Sequence, residues 1–151
     1  MADRSFPPLL RSAAAAVTVL SLLAGAPPAA AQAPETLSPE QKMQRRFPQP
    51  VRVGDLIGLP LLDFDDRTLG YVERVVRTPA GKIQLIVSYG GFLGWGRRPV
   101  AVPIEVVAIG GRQLAALDMT RAELDAAPAW SDSKSQSLGQ GETVRIGLYR
   151  R

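Results

Sequence analysis

Asp63, Asp65 and Asp66 form the only acidic cluster in this chain, and their spacing comes closest to known chemistry. Carboxylates this near one another can hold calcium or divide the work of acid and base. The spacing imitates the opening of a calcium-binding loop, but the glycine and glutamate that such a loop needs further on are missing. The cluster is therefore expected to be a solvated turn whose carboxylates accept hydrogen bonds from backbone amides. The usual catalytic residues are scarce elsewhere. Histidine is absent, which removes the commonest general base and zinc ligand. Cysteine is absent too, and with it thiolate chemistry, disulfides and a cysteine-linked lipid anchor. No serine has a base, because Lys42, Lys82 and Lys134 sit in no serine–lysine motif. These residues point to a protein that is not an enzyme and carries no cofactor and no metal.

A second stretch is unusual for recognition rather than catalysis. Residues Gly90 to Arg98 read GGFLGWGRR. The glycine spacing is not that of a dinucleotide loop, and Pro99 with a strand follows where a helix should begin. One reading is a structural loop in which glycines permit positive φ while Phe92 and Leu93 plug the core. The other assigns partner binding to Trp95, Arg97 and Arg98, because Trp and Arg are the types most enriched at interface hot spots. An aromatic tip flanked by cations would also suit a lipid headgroup layer. Arg74, Arg77 and Lys82, around the first expected hairpin, read as edge charges that discourage aggregation.

The elements that must position these residues follow from patterning. Residues 1–31 have the parts of a secretory signal: Arg4 and Arg11, an apolar run from Ser12 to Gly25, then Pro27, Pro28 and a small-residue site ending at Ala31. The run is shorter than the roughly 20 apolar residues that span a bilayer. Cleavage near Ala31 and a periplasmic or secreted location are expected. The formal net charge of +4 is a mild arginine excess, which does not suggest a nucleic-acid partner. Residues 32–50 are polar and proline-rich and read as a flexible lead-in, although Ser38, Pro39 and Gln41 could cap one helical turn.

From residue 51 to 130 the signals are those of strands. Leu56 to Phe64 reads as an interrupted strand and Leu69 to Arg77 as the next. Pro79-Ala80-Gly81 turns into Lys82 to Ser88, giving a hairpin. Pro99 to Ile104 alternates again. Glu105 to Ile109 and Gln113 to Leu117 make a second hairpin about Gly110-Gly111. Thr120 and Glu123 fit the capping box of one short helix, which Pro128 ends. Residues 131–151 are a polar linker followed by a tail or a terminal strand, for Val144, Ile146 and Leu148 alternate; the length and polarity of the linker favour the tail.

In order along the chain, Val53-Gly54-Asp55-Leu56-Ile57-Gly58, Leu69-Gly70-Tyr71-Val72, Gly81-Lys82-Ile83, Gly90-Gly91-Phe92-Leu93-Gly94, Val100-Ala101-Val102-Pro103 and Leu124-Asp125-Ala126-Ala127-Pro128 resemble a PRC-barrel domain. The family is found in the H subunit of the purple bacterial photosynthetic reaction centre, in the ribosome maturation factor family and in stand-alone bacterial proteins. The resemblance implies an all-β fold: a small PRC-type barrel of about six short strands with one short C-terminal helix. It also implies an adaptor or assembly module rather than an enzyme. The expected partner is a protein, which a self-contact would make a second copy in a homodimer. Peripheral membrane contact, or a lipid headgroup or calcium as ligand, is the alternative.

Overall fold

Ile83, Leu85 and Val87 alternate with more polar neighbours, and the strand they define pairs with the one before it. Strand β3 (Thr68–Arg77) and strand β4 (Ile83–Tyr89) are antiparallel, from Gly70 opposite Tyr89 to Arg77 opposite Ile83. The turn between them closes through hydrogen bonds from Thr78 N to Lys82 O and from Gly81 N to Thr78 O, at 2.9 and 2.8 Å. Gly81 has φ +78°, which a side chain would disfavour. The register slips between Val72 and Arg74. This bulge at Glu73 leaves Glu73 and Arg74 both exposed and lets Val72 and Val75 both enter the core.

The computed structural model describes residues 36–91, 95–131 and 134–149. The expected signal segment, and Phe92 and Leu93 with their expected inward placement, lie outside them. Around the β3–β4 hairpin the remaining strands add on. Strand β5 (Arg98–Pro103) runs antiparallel to β4. Strand β2 (Pro60–Leu62) is antiparallel to β3 and parallel to β7 (Gln113–Ala116). Strands β6 (Val107–Gly110) and β7 form the second hairpin, after a 3-10 turn at Ile104–Val106. All six expected strands are therefore present, although the first is cut to Pro60–Leu62 because Val53–Leu56 winds into a helical turn, α2.

The chain ends correct the expectation. Among the described residues there are nine strands, not six, in one sheet of order β1-β9-β6-β7-β2-β3-β4-β5 with β8 added to β3. The sheet is open, since its terminal strands β1 and β5 are not paired with each other. Strand β1 (Gln49–Arg52) and helix α1 (Pro39–Arg45) occupy the segment expected to be a flexible lead-in. Helix α1 has the full capping box: Ser38 Oγ accepts from Gln41 N, and the Gln41 side chain accepts from Ser38 N. The terminal segment is a strand, not a tail. Strand β9 (Thr143–Leu148) lies between β1, to which it is antiparallel, and β6, to which it is parallel. Strand β8 is the pair Gln136–Ser137.

The core gathers the inward side chains of these strands with α2 and the expected helix α3 (Arg121–Ala126). Leu56, Leu61, Leu85, Leu114, Leu124 and Ile146 are fully buried in it. The capping box of α3 is formed, with Thr120 Oγ1 accepting from Glu123 N and a Glu123 carboxylate oxygen accepting from Thr120 N. Edge strand β5 is blunted by Pro99 and Pro103, and the Trp130 amide donates to Pro99 O at 2.7 Å.

Candidate functional site

Gly70 stands opposite Tyr89, so the start of β3 and the end of β4 share one end of the sheet. Two connections leave the sheet at that end: the turn Asp63 to Arg67, which enters β3, and the segment after Gly90, which leaves β4 and returns through Trp95 to Arg97. The amide of Gly90 donates to Leu69 O at 3.3 Å and ties the second loop to the first strand. Gly91 has φ +88°, and a Cβ there would lie 2.6 Å from Trp95 O and 2.7 Å from Arg97 Cγ. Only glycine lets this loop fold back so closely on itself.

The loop presents Trp95 outward, with 83% of its surface exposed. Phe64, at the tip of the neighbouring turn, is 69% exposed, and Tyr71 on β3 is 44% exposed. These are three of the four large hydrophobic residues found exposed among the described residues; the fourth, Phe47, follows α1. Beside the second loop, over the start of β3 and the end of β4, lies a shallow groove of about 240 Å³ lined by Thr68, Tyr71, Ser88, Gly91 and Arg97, among others. Arg97 is exposed, and no ion pair among the described residues involves it.

Arg98 does not project with its neighbours, which corrects the expectation for the third arginine-loop residue. It is half-buried, and its guanidinium donates to the carbonyls of Leu124, Asp125 and Ala127 at the end of α3; the first two bonds measure 2.8 and 2.6 Å. Leu124 O also accepts from the Ala127 amide at 3.3 Å. The last carbonyls of a helix lie at the negative end of its dipole, so a cation suits them. The same guanidinium lies 5.7 Å from the ring centroid of Tyr89. Tyr89 in turn donates its hydroxyl to Asp125 Oδ1 at 2.5 Å. Burial, and then this bond to Asp125, raise the tyrosine pKa. Arg98 fastens α3 to the sheet.

In the acidic turn, Asp63 Oδ1 accepts from the amides of Asp65 and Arg67, both at 2.9 Å. This is the side-chain–backbone pattern of an Asx turn. The Asp65 carboxylate points away from it, 3.9 Å from the Arg67 guanidinium, with both side chains more than two-thirds exposed. Among the described residues, no group of three or more acidic, histidine or cysteine side chains is placed to hold a metal ion. Composition alone points to Trp95 and Arg97. It does not point to Phe64 and Tyr71, although part of a signal is there: an aromatic residue within an aspartate-rich turn has no core to enter.

Comparison with curated proteins gives no match. Comparison with family models matches residues 50–119 to the PRC-barrel domain. That range runs from β1 through β7 and includes both loops of the aromatic end. Residues 50–119 of this chain are a PRC-barrel domain.

Proposed function

We propose that the chain is a non-catalytic interaction module of the periplasm, which docks a protein partner on the end of the sheet that carries Phe64, Tyr71, Trp95 and Arg97. The observation that carries this reading is the gathering of exposed aromatic residues at one end. Scattered apolar residues on a surface need no explanation, but clustered ones mark contact sites. Loops on a rigid sheet are where recognition residues tend to sit. The prolines of β5 discourage docking by strand addition there, which favours the loops. The signal-like composition of residues 1–31 supports the location, and the absence of histidine and cysteine supports a role without catalysis. A protein partner fits better than a lipid headgroup surface, because Asp63, Asp65 and Asp66 flank Phe64 and would be repelled by anionic lipid.

The test compares binding with stability. Trp95→Ala is expected to weaken association with a periplasmic partner by about 2 kcal/mol or more. Its unfolding free energy should stay within about 0.5 kcal/mol of wild type, as for a surface change. Undiminished capture by the variant from a periplasmic extract would reject the assignment.

A further inference from the structure

The two loops of the aromatic end are opposite in character. One offers Phe64 with Asp65 beside it; the other offers Trp95 with Arg97 beside it. A surface that carries both halves of a complementary pair side by side can bind a copy of itself. We infer that the partner at this end is a second copy of this chain, docked end to end about a twofold axis. Asp65 of each copy then meets Arg97 of the other, and Phe64 and Trp95 are buried between them. The inference rests on the reading that the aromatic end is the contact surface.

Three observations favour a second copy over an unrelated partner. Charge across the two loops is mixed and nearly balanced: Asp63, Asp65 and Asp66 stand against Arg67 and Arg97, while Arg98 is turned to the carbonyls of α3. A twofold contact needs such balance, whereas a strongly charged partner would call for one sign. Next, Arg97 has no carboxylate partner among the described residues, and Asp65 has only a 3.9 Å contact between exposed groups. Such a surface pair contributes little, so Asp65 can change partners at small cost. Finally, Asp63 is fixed by its two amide bonds, and Gly91 lies tightly against Trp95 O and Arg97, so the acidic turn and the base of the second loop are held in place before docking. Two loop tips meeting across an axis bury an area at the small end of specific interfaces, below about 1,200 Å². The dimer should therefore form and dissociate with concentration.

Charge exchange tests this directly on the purified protein by analytical ultracentrifugation. Wild type should shift from monomer to dimer mass as concentration rises. Arg97→Asp and Asp65→Arg should each raise the dissociation constant at least about tenfold, because each places like charges opposite one another twice. Both positions are exposed, and unchanged circular dichroism would show that both variants fold. An equimolar mixture of the two variants should recover the dimer as a one-to-one heterodimer, since one contact keeps the native pair and the other carries it reversed. A wild type that stays monomeric at high concentration overturns the inference, as does a mixture that fails to associate. If the protein is monomeric and Trp95→Ala still loses a periplasmic partner, the aromatic end stands as a contact surface and only the second copy is rejected. If it dimerises with no loss in any of the Trp95, Arg97 or Asp65 variants, the assignment of the aromatic end itself fails. Binding of a purely monomeric protein to vesicles of anionic lipid would also reject the second copy.

Discussion

Arg97 and Arg98 are neighbours in sequence with opposite duties, and the difference lies in where each side chain falls at the end of β5. Arg97 is exposed beside Trp95, whereas Arg98 reaches the last carbonyls of α3 and stacks over Tyr89. Hydrogen bonds from a charged donor each contribute more than neutral ones, about 1.5–3 kcal/mol. They are not additive when one guanidinium makes all of them. Arg98→Ala is expected to destabilise the fold by about 2–3 kcal/mol in urea denaturation. Arg97→Ala should stay within about 0.5 kcal/mol of wild type. Arg98→Lys should fall between, because an ammonium cannot span carbonyls that a planar fork holds together. Equal effects at the two positions would contradict the division of labour. Composition alone presented GGFLGWGRR as one unit. Only the position of α3 separates a contact arginine from a fastening one, and that position depends on packing of Leu124 in the core.

Helix α1 is fastened by charge more than by burial, for none of its residues is buried. Lys42 Nζ and Arg46 Nη2 donate to the two oxygens of Asp118, at 3.0 and 2.5 Å, and the Asp118 side chain is only 13% exposed. Burial pushes the Asp118 carboxyl up, but the hydrogen bonds and charges of Arg46 and Lys42 outweigh it and hold the pKa below the ordinary value. Such a depressed carboxylate adds stability that is fully present above its unfolded pKa of about 3.9 and is lost as pH falls through the folded value. Asp118→Asn should therefore destabilise by about 1.5–3 kcal/mol at neutral pH. The gap to wild type should narrow as pH is lowered below about 4, and a gap independent of pH would reject the ion network as its cause. Glu40, drawn down to about 2 chiefly by its hydrogen bond to Lys82, lies away from Asp118 on an exposed ion pair and titrates equally in both proteins, so it drops out of the comparison. At this scale the strands with turn signals were legible: both hairpins and both capping boxes are marked by local residues. Strands β1 and β8 were not. Strand β1 contains Pro50 and is mostly exposed, and β8 is too short to show a period. Their pairing is set by distant partners, which local pattern cannot supply. The exposure of Tyr71 was equally hidden, since Leu69 and Gly70 are both buried before it and the bulge at Glu73 resets the alternation after it.

At the scale of the molecule, the segment after residue 119 completes the sheet that the family domain begins. The family match stops at residue 119, yet β9 lies well beyond it and sits inside the sheet between β1 and β6. Val144 and Ile146 of β9 are buried. The segment before it also serves α2, since Val53 N donates to Glu142 O and Gly54 N to Gln140 O, both at 2.9 Å. Leu148 N donates to Arg46 O at 2.7 Å, and the Arg145 guanidinium to Pro48 O at 3.0 Å, so the N-terminal segment is held by the C-terminal one. A long polar linker before this strand argues for a detached tail only if its end has nowhere to dock. Here β1 and β6 leave a strand-wide gap that two alternating apolar residues fill. Ile146→Ala should then cost about 2–5 kcal/mol, the range for opening a cavity in a packed core. Truncation after Ser137 should do more. It removes a central strand, leaves β1 without its ladder and exposes the flank of β6, whose free edge would favour aggregation. The measurement is urea denaturation followed by tryptophan fluorescence and by far-ultraviolet circular dichroism. The truncated chain is expected to lose the single cooperative transition. A truncated protein that unfolds cooperatively at the wild-type midpoint would mean that the residues up to Ser137 fold without β9 and that β9 only decorates them.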